Sequence, residues 1–144
     1  MTQNWQDQIP NFDQFSYYAG ISTAFAEVVG AGVKQLALSH PYSAEDLDIM
    51  LEPSKQIAAD YGVVIMVEDD LLVTPLFPAK IARGKYVIFF AKDIDVLNTY
   101  RALKDRKEKA SESWNPSSEM RTIAQEFGRL LSYSDESIEA MLTQ

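Results

Sequence analysis

The chain of 144 residues contains one histidine and no cysteine, so side-chain chemistry has few places to sit. The single imidazole, His40, belongs to the residue type that titrates near neutral pH, moves protons and binds metals. Glu68, Asp69 and Asp70 form the densest acidic cluster. A histidine with two carboxylates could hold a hard divalent cation through mainly oxygen ligands. It could equally act as an acid–base pair in which a carboxylate orients the ring. Tyr42 lies two residues beyond His40 and joins it as a candidate ligand contact. Lys80, Arg83 and Lys85, around Gly84, supply donors suited to a phosphate or carboxylate. Each group also has a plainer reading. Strands commonly exit into polar residues, a histidine before proline is ordinary in a hydrogen-bonded loop, and a basic run is usually a solvated face.

Composition removes many alternatives. Without cysteine there is no disulfide, thiolate zinc site, iron–sulfur cluster or thiol nucleophile. A single histidine excludes H-E-x-x-H. Neither G-x-x-x-x-G-K-[ST] nor G-x-G-x-x-G occurs, so no nucleotide motif is present, and no haem motif is visible either. There is no G-x-S-x-G elbow. Ser39 and His40 are neighbours that point opposite ways on an extended chain, which prevents a nucleophile–base pair. The formal net charge of −8 repels phosphate backbones, arguing against nucleic acid. That charge is uneven: residues 73–109 carry nine basic against four acidic side chains. The longest apolar runs, such as Tyr86 to Ala91, fall far short of the roughly 20 residues of a membrane span. The polar stretch Met1 to Pro10 shows no secretory pattern, and a cytoplasmic location is expected.

The elements that must position these groups follow from periodicity. Phe15, Tyr18, Ala19, Ser22, Phe25, Ala26 and Val29 predict a helix from about Phe12 to Val29, closed by Gly30 and Gly32. Val33 to Ser39 reads as a strand stopped by Pro41. Ser43 caps a helix over 44–61 that contains Pro53 and ends at Gly62. Val63 to Val67 and Tyr86 to Ala91 read as strands buried on both faces, because their apolarity is unbroken. Segment 71–84 is a loop. A helix runs from about Lys92 towards Ala110, with Lys104 to Lys109 solvated. Pro116 opens an amphipathic helix carrying Met120, Ile123, Ala124, Phe127, Leu130 and Leu131, and Asp135 and Glu136 open a last one.

The class is α/β or α+β: a small three- to four-stranded sheet, an N-terminal helix and C-terminal helices packed on it. One domain spans 1–144, with residues 1–11 flexible and 111–115 a mobile link. Strand 33–39, helix 44–61 and strand 63–67 have the length of a βαβ crossover. That unit places His40 and Glu68 to Asp70 at one sheet edge, the usual ligand edge of open α/β sheets. If Tyr86 to Ala91 ran the same way, Lys92 and Asp93 would join them.

The runs Leu38-Ser39-His40-Pro41-Tyr42-Ser43-Ala44-Glu45-Asp46 and Val67-Glu68-Asp69-Asp70-Leu71-Leu72-Val73-Thr74-Pro75-Leu76-Phe77-Pro78 resemble a small uncharacterised prokaryotic family. Phe127-Gly128-Arg129-Leu130-Leu131-Ser132-Tyr133 resembles tails of the same kind, which often read GYP and carry cysteines where this chain has Ser132-Tyr133-Ser134. The resemblance spans most of residues 35–140 and implies no activity. From the residues alone, the expected function is a non-enzymatic small-ligand-binding or regulatory domain that forms a homo-oligomer. Its ligand would be a small anion or a divalent cation, and its site residues His40, Tyr42, Glu68, Asp69, Asp70, Lys80 and Arg83. The alternatives are an enzyme or metal-dependent binder at the strand ends, and a scaffold that docks Lys104 to Lys109 on an acidic partner. Tyr17-Tyr18 on the first helix would turn one ring inward and leave one for solvent or an interface.

Overall fold

The computed structural model describes residues 4–76, 82–112 and 116–143. Lys80, Phe77 and Pro78 lie outside these, as do three of the five residues of the expected link 111–115. The helices begin where side chains satisfy otherwise orphaned amides. The Asp13 carboxylate accepts the Phe15 N–H at 3.2 Å and opens α1, Gln14–Gly30. The Ser43 hydroxyl accepts the Asp46 N–H at 3.2 Å and opens α2, Ala44–Tyr61, which Gly62 closes at φ +67°. Pro53 does not break α2. Its missing N–H leaves only the Ile49 carbonyl without a helical donor, and Ile49 is exposed to water. Asp93 caps α3, Ile94–Ala110, and Ser134 caps α5, Asp135–Leu142. Between them α4, Pro116–Leu130, starts on proline, whose φ suits a first turn. Within the stretch 1–11 expected to be flexible, Trp5–Gln8 forms a turn of 3₁₀ helix.

Three strands, β1 (Leu36–Leu38), β2 (Val64–Glu68) and β3 (Val87–Ala91), form one sheet in the order β1-β3-β2. Both pairings are antiparallel, so β1 and β2 run in the same direction with β3 between them. The β1–α2–β2 crossover is therefore present in split form, its two strands not adjacent. Two expectations are corrected. The strand at 87–91 opposes the others, which carries Lys92 and Asp93 to the far edge of the sheet. The strand at 64–68 is an edge strand: Val64 and Val67 are 36% and 40% exposed. Only β3 is buried along its whole length, because only β3 has a neighbour on each side.

Helices cover both faces of the sheet. Tyr18, Ala26 and Val29 of α1 and Met50 and Ala58 of α2 pack with Ile88 and Phe90. On the other face Leu97, Tyr100 and Leu103 of α3 and Ile123 and Phe127 of α4 enclose Val87 and Phe89. The basic end of α3 is less solvated than its sequence suggests. Arg106 reaches α4, donating to Glu119 at 2.8 Å and to Glu126, while Lys104 turns back towards β2.

The ends of α1 and α2 approach at Gly30, where an added Cβ would stand 2.5 Å from the Tyr61 carbonyl oxygen. Gly20, in the middle of α1, has open space around it. Gly30→Ala is expected to destabilise by about 1–3 kcal/mol and Gly20→Ala to stabilise by up to about 1 kcal/mol. Opposite shifts of the two urea midpoints check this.

Candidate functional site

The site begins with an irregularity in the pairing of β1 and β3. Ala37 and Leu38 face Phe90 and Phe89, and the Ser39 N–H donates to the Ile88 carbonyl at 2.9 Å. Continued regularly, that register would set His40 opposite Val87. Instead Tyr42 pairs with Tyr86, through N–H···O bonds of 2.7 and 2.8 Å in the two directions. His40 and Pro41 together oppose Val87, which is a β-bulge. Proline is tolerated there because no ladder bond is asked of it. The Ser39 hydroxyl secures the irregularity, accepting the Ile88 N–H at 2.9 Å and donating to the His40 carbonyl at 2.9 Å.

The bulge reverses which face the following side chains join. By strict alternation residue 40 would follow Leu36 and Leu38 towards α3. Its ring lies instead against α1, 4.6 Å from the Tyr18 ring and 6.3 Å from Tyr17. Tyr42, now in the α1–α2 core, is fully buried and meets Tyr18 edge-on at 5.1 Å. Burial pushes the Tyr42 phenol up from its ordinary pKa, and the Ser22 and Ser39 hydroxyls beside it pull the other way. His40 Nδ1 sits 2.8 Å from the Pro41 carbonyl oxygen. A carbonyl only accepts, so Nδ1 donates this bond; in the neutral form of the ring that leaves the lone pair on Nε2.

His40, Tyr17, Tyr18 and Phe12 line a cavity of about 400 Å³, with the Gln6 and Gln14 amides at its rim. The Gln14 amide donates to the Tyr18 hydroxyl. Trp5 buttresses the wall, its ring 5.8 Å from Phe12 and 5.5 Å from Tyr17. Tyr17, which could have faced solvent, is half-buried in this cluster.

The acidic cluster belongs to the other side of the sheet. Glu68 is 7% exposed and both of its carboxylate oxygens are hydrogen-bonded. Oε2 accepts from the Tyr100 hydroxyl at 2.7 Å and from Lys104 Nζ at 3.0 Å, and Oε1 accepts the Asp70 N–H at 3.0 Å. The Tyr100 oxygen in turn accepts the Leu72 N–H at 3.0 Å. Lys104 lies 3.9 Å from Asp70, whose side chain is otherwise open to water. This network fastens the exit of β2 to α3. The proposed partnership of His40 with Glu68 to Asp70 is not formed: they leave the same end of the sheet, but β3 separates them and they join opposite helical layers. Among the described residues no group of three His, Asp or Glu is placed to hold a metal. Asp69 is exposed, as are Arg83 and Lys85 beside Gly84, and Lys80 is outside the described residues.

Sequence reasoning missed Phe12, Gln6, Gln14 and Trp5 as companions of His40. The available signal was the aromatic density of residues 5–18. Tyr100 and Lys104, the partners of Glu68, gave no local signal.

Burial and the Glu68 carboxylate raise the Tyr100 pKa far above the ordinary phenol value. A group whose folded pKa is raised stabilises fully below its unfolded pKa, here about 10, and loses that contribution as pH climbs beyond it. Stability is therefore expected to fall above pH 10 by about 1.4 kcal/mol per pH unit from this residue alone. Tyr100→Phe should cost about 1–3 kcal/mol at neutral pH and flatten that alkaline slope, as read by urea unfolding across pH. Comparison of the chain with protein-family models, curated proteins and solved structures returns no match.

Proposed function

We propose that this chain is a small-ligand-binding domain without catalysis of its own, and that the His40 cavity takes a planar aromatic or heteroaromatic molecule bearing a hydrogen-bond donor. One observation carries the reading. The His40 ring is held by the Pro41 carbonyl and by Tyr18, while Nε2 has no partner among the described residues. A fixed acceptor beside aromatic walls suits a flat ligand that stacks and donates one hydrogen bond. The cavity volume lies within the usual range for small-ligand sites, about 300–1,000 Å³. The non-catalytic reading is supported by the company His40 keeps: tyrosine rings and its own backbone, with no carboxylate bonded to it among the described residues. The resemblance over residues 35–140 adds no activity to this.

The homo-oligomer belongs to the same proposal and rests on β2. In the register with β3, residues 64, 66 and 68 use their backbone groups inward, so those of Ile65 and Val67 face outward. Residues 64–67 carry no proline or charge, the usual guards of an edge strand. A second copy pairing antiparallel, its Val67 opposite Ile65, would satisfy both residues at once and extend the sheet to six strands.

Phenol, indole and adenine are the probes for the cavity, with cyclohexanol as the non-planar control. At a hundredfold excess over the dissociation constant, a binder should stabilise the chain by about 2.7 kcal/mol, or roughly 5 °C or more in Tm. The shift should vanish in His40→Ala. A flat response from the wild type to all three probes, or a shift that survives His40→Ala, defeats the proposal. For the edge strand, light scattering on a sizing column should show a dimer that Val67→Lys converts to a monomer. A monomeric wild type removes the oligomer.

A further inference from the structure

A second cavity, of about 160 Å³, lies at the other end of β1, lined by Phe25, Lys34, Ala37, Leu38, Leu131 and Tyr133. Its lining is mainly apolar, and the Lys34 ammonium is the one charged group among the residues that line it. Lys34 Nζ donates to the Leu131 carbonyl at 2.7 Å and lies 5.8 Å from the centre of the Phe25 ring and 5.7 Å from that of Tyr133. No carboxylate among the described residues pairs with it, whereas Lys104 and Arg106, also partly buried, each hold at least one; partly buried Lys107 has none. An ammonium has three donors, so at least one remains unused once the carbonyl is served.

The turn that completes this cavity is held under strain. Ser132 follows α4 in the left-handed conformation at φ +70°, where glycine is usual. The Tyr133 N–H returns to the Gly128 carbonyl at 3.0 Å and the Ser132 N–H to that of Arg129 at 2.9 Å. The Ser132 hydroxyl accepts the Gln35 N–H at 3.2 Å, tying the turn to the start of β1. This closure brings the Leu131 carbonyl and the Tyr133 ring to Lys34. Capping the carboxyl end of α4 accounts for the lysine's charge. It does not account for a cavity left open beside that charge.

We propose that the Lys34 cavity is a binding site for a small organic carboxylate, its acid group on the ammonium and a compact apolar or aromatic body against Phe25, Leu38 and Tyr133. The volume is that of a cavity able to take benzene, about 150 Å³, so the body is no larger than one ring or a short branched chain. Burial lowers the Lys34 pKa from its ordinary value, a penalty that a bound carboxylate would offset. The site is separate from the His40 cavity and does not depend on it.

The full chain is titrated with benzoate and with isobutyrate, benzamide serving as the uncharged counterpart of benzoate, and followed by ¹H–¹⁵N correlation spectra. At least one acid should shift the amides of Phe25, residues 34–38 and residues 131–133, saturating with a dissociation constant on the order of 1 mM or below. Benzamide should bind at least about tenfold more weakly than benzoate, if benzoate is the acid that binds. Lys34→Met should abolish the response. Because that variant also loses the bond to Leu131, Tyr133→Ala is its companion: it keeps the lysine, removes one wall at the surface, and should weaken binding severalfold. The proposal is overturned if neither acid shifts these amides in the wild type, if benzamide matches benzoate, or if Tyr133→Ala binds as the wild type does.

Discussion

Val87, Ile88, Phe89, Phe90 and Ala91 must lie between two layers, because a strand with apolar side chains on both faces has no face to give to water. That requirement places β3 at the centre of the sheet and calls for a helical pair on each side. It also fixes the fate of the other strands. β1 and β2 can only be edges, and their exits, His40 and Glu68, are delivered to the same end of the sheet with a strand between them. Two cores result, and each meets one edge strand's polar exit: the α1–α2 layer receives His40, and the α3–α4 layer receives Glu68.

Those two polar residues are handled in contrasting ways. Glu68 has donors on both oxygens of its carboxylate, as a buried charge requires. His40 is held by one nitrogen and one ring face only. The difference arises from a single additional residue just after β1. The bulge at His40 and Pro41 moves the imidazole from the α3 side to the α1 side, where the chain offers aromatic rings and amides in place of countercharges. The hydroxyl of Ser39 makes the irregularity tolerable, since it gives the Ile88 N–H a partner where the regular ladder would have used a carbonyl.

Much of the fold was legible in the sequence, and the reasons it was legible are local. Ser43 three residues before Asp46, Gly62 after Tyr61 and Pro116 before an amphipathic stripe are signals read over one turn of chain. Val63 to Val67 and Tyr86 to Ala91 were equally plain as strands, but they look alike. Which of the two takes the centre is decided by partners far along the chain, so the edge position of β2 was invisible. The same holds for the site. Pro41 hinted that the ladder fails near residue 41, but the direction of the slip depends on Tyr42 meeting Tyr86. Lys34 meets Leu131 across 97 positions, and no spacing rule reaches that far.

The order in which the strands leave the ribosome is not the order in which they stand in the sheet. β1 and β2 are synthesised first, and neither has the other for a neighbour; the strand that pairs with both comes last. Until residue 91 has emerged, the nascent chain holds two future edges and no centre, with α2 linking them. Helices α1 and α2 can form and touch during this interval, since their contacts are closer in sequence, but the sheet cannot begin. The sheet is complete only once β3 pairs with both, and until then the apolar, unguarded edge of β2 is the surface that must be kept from other chains.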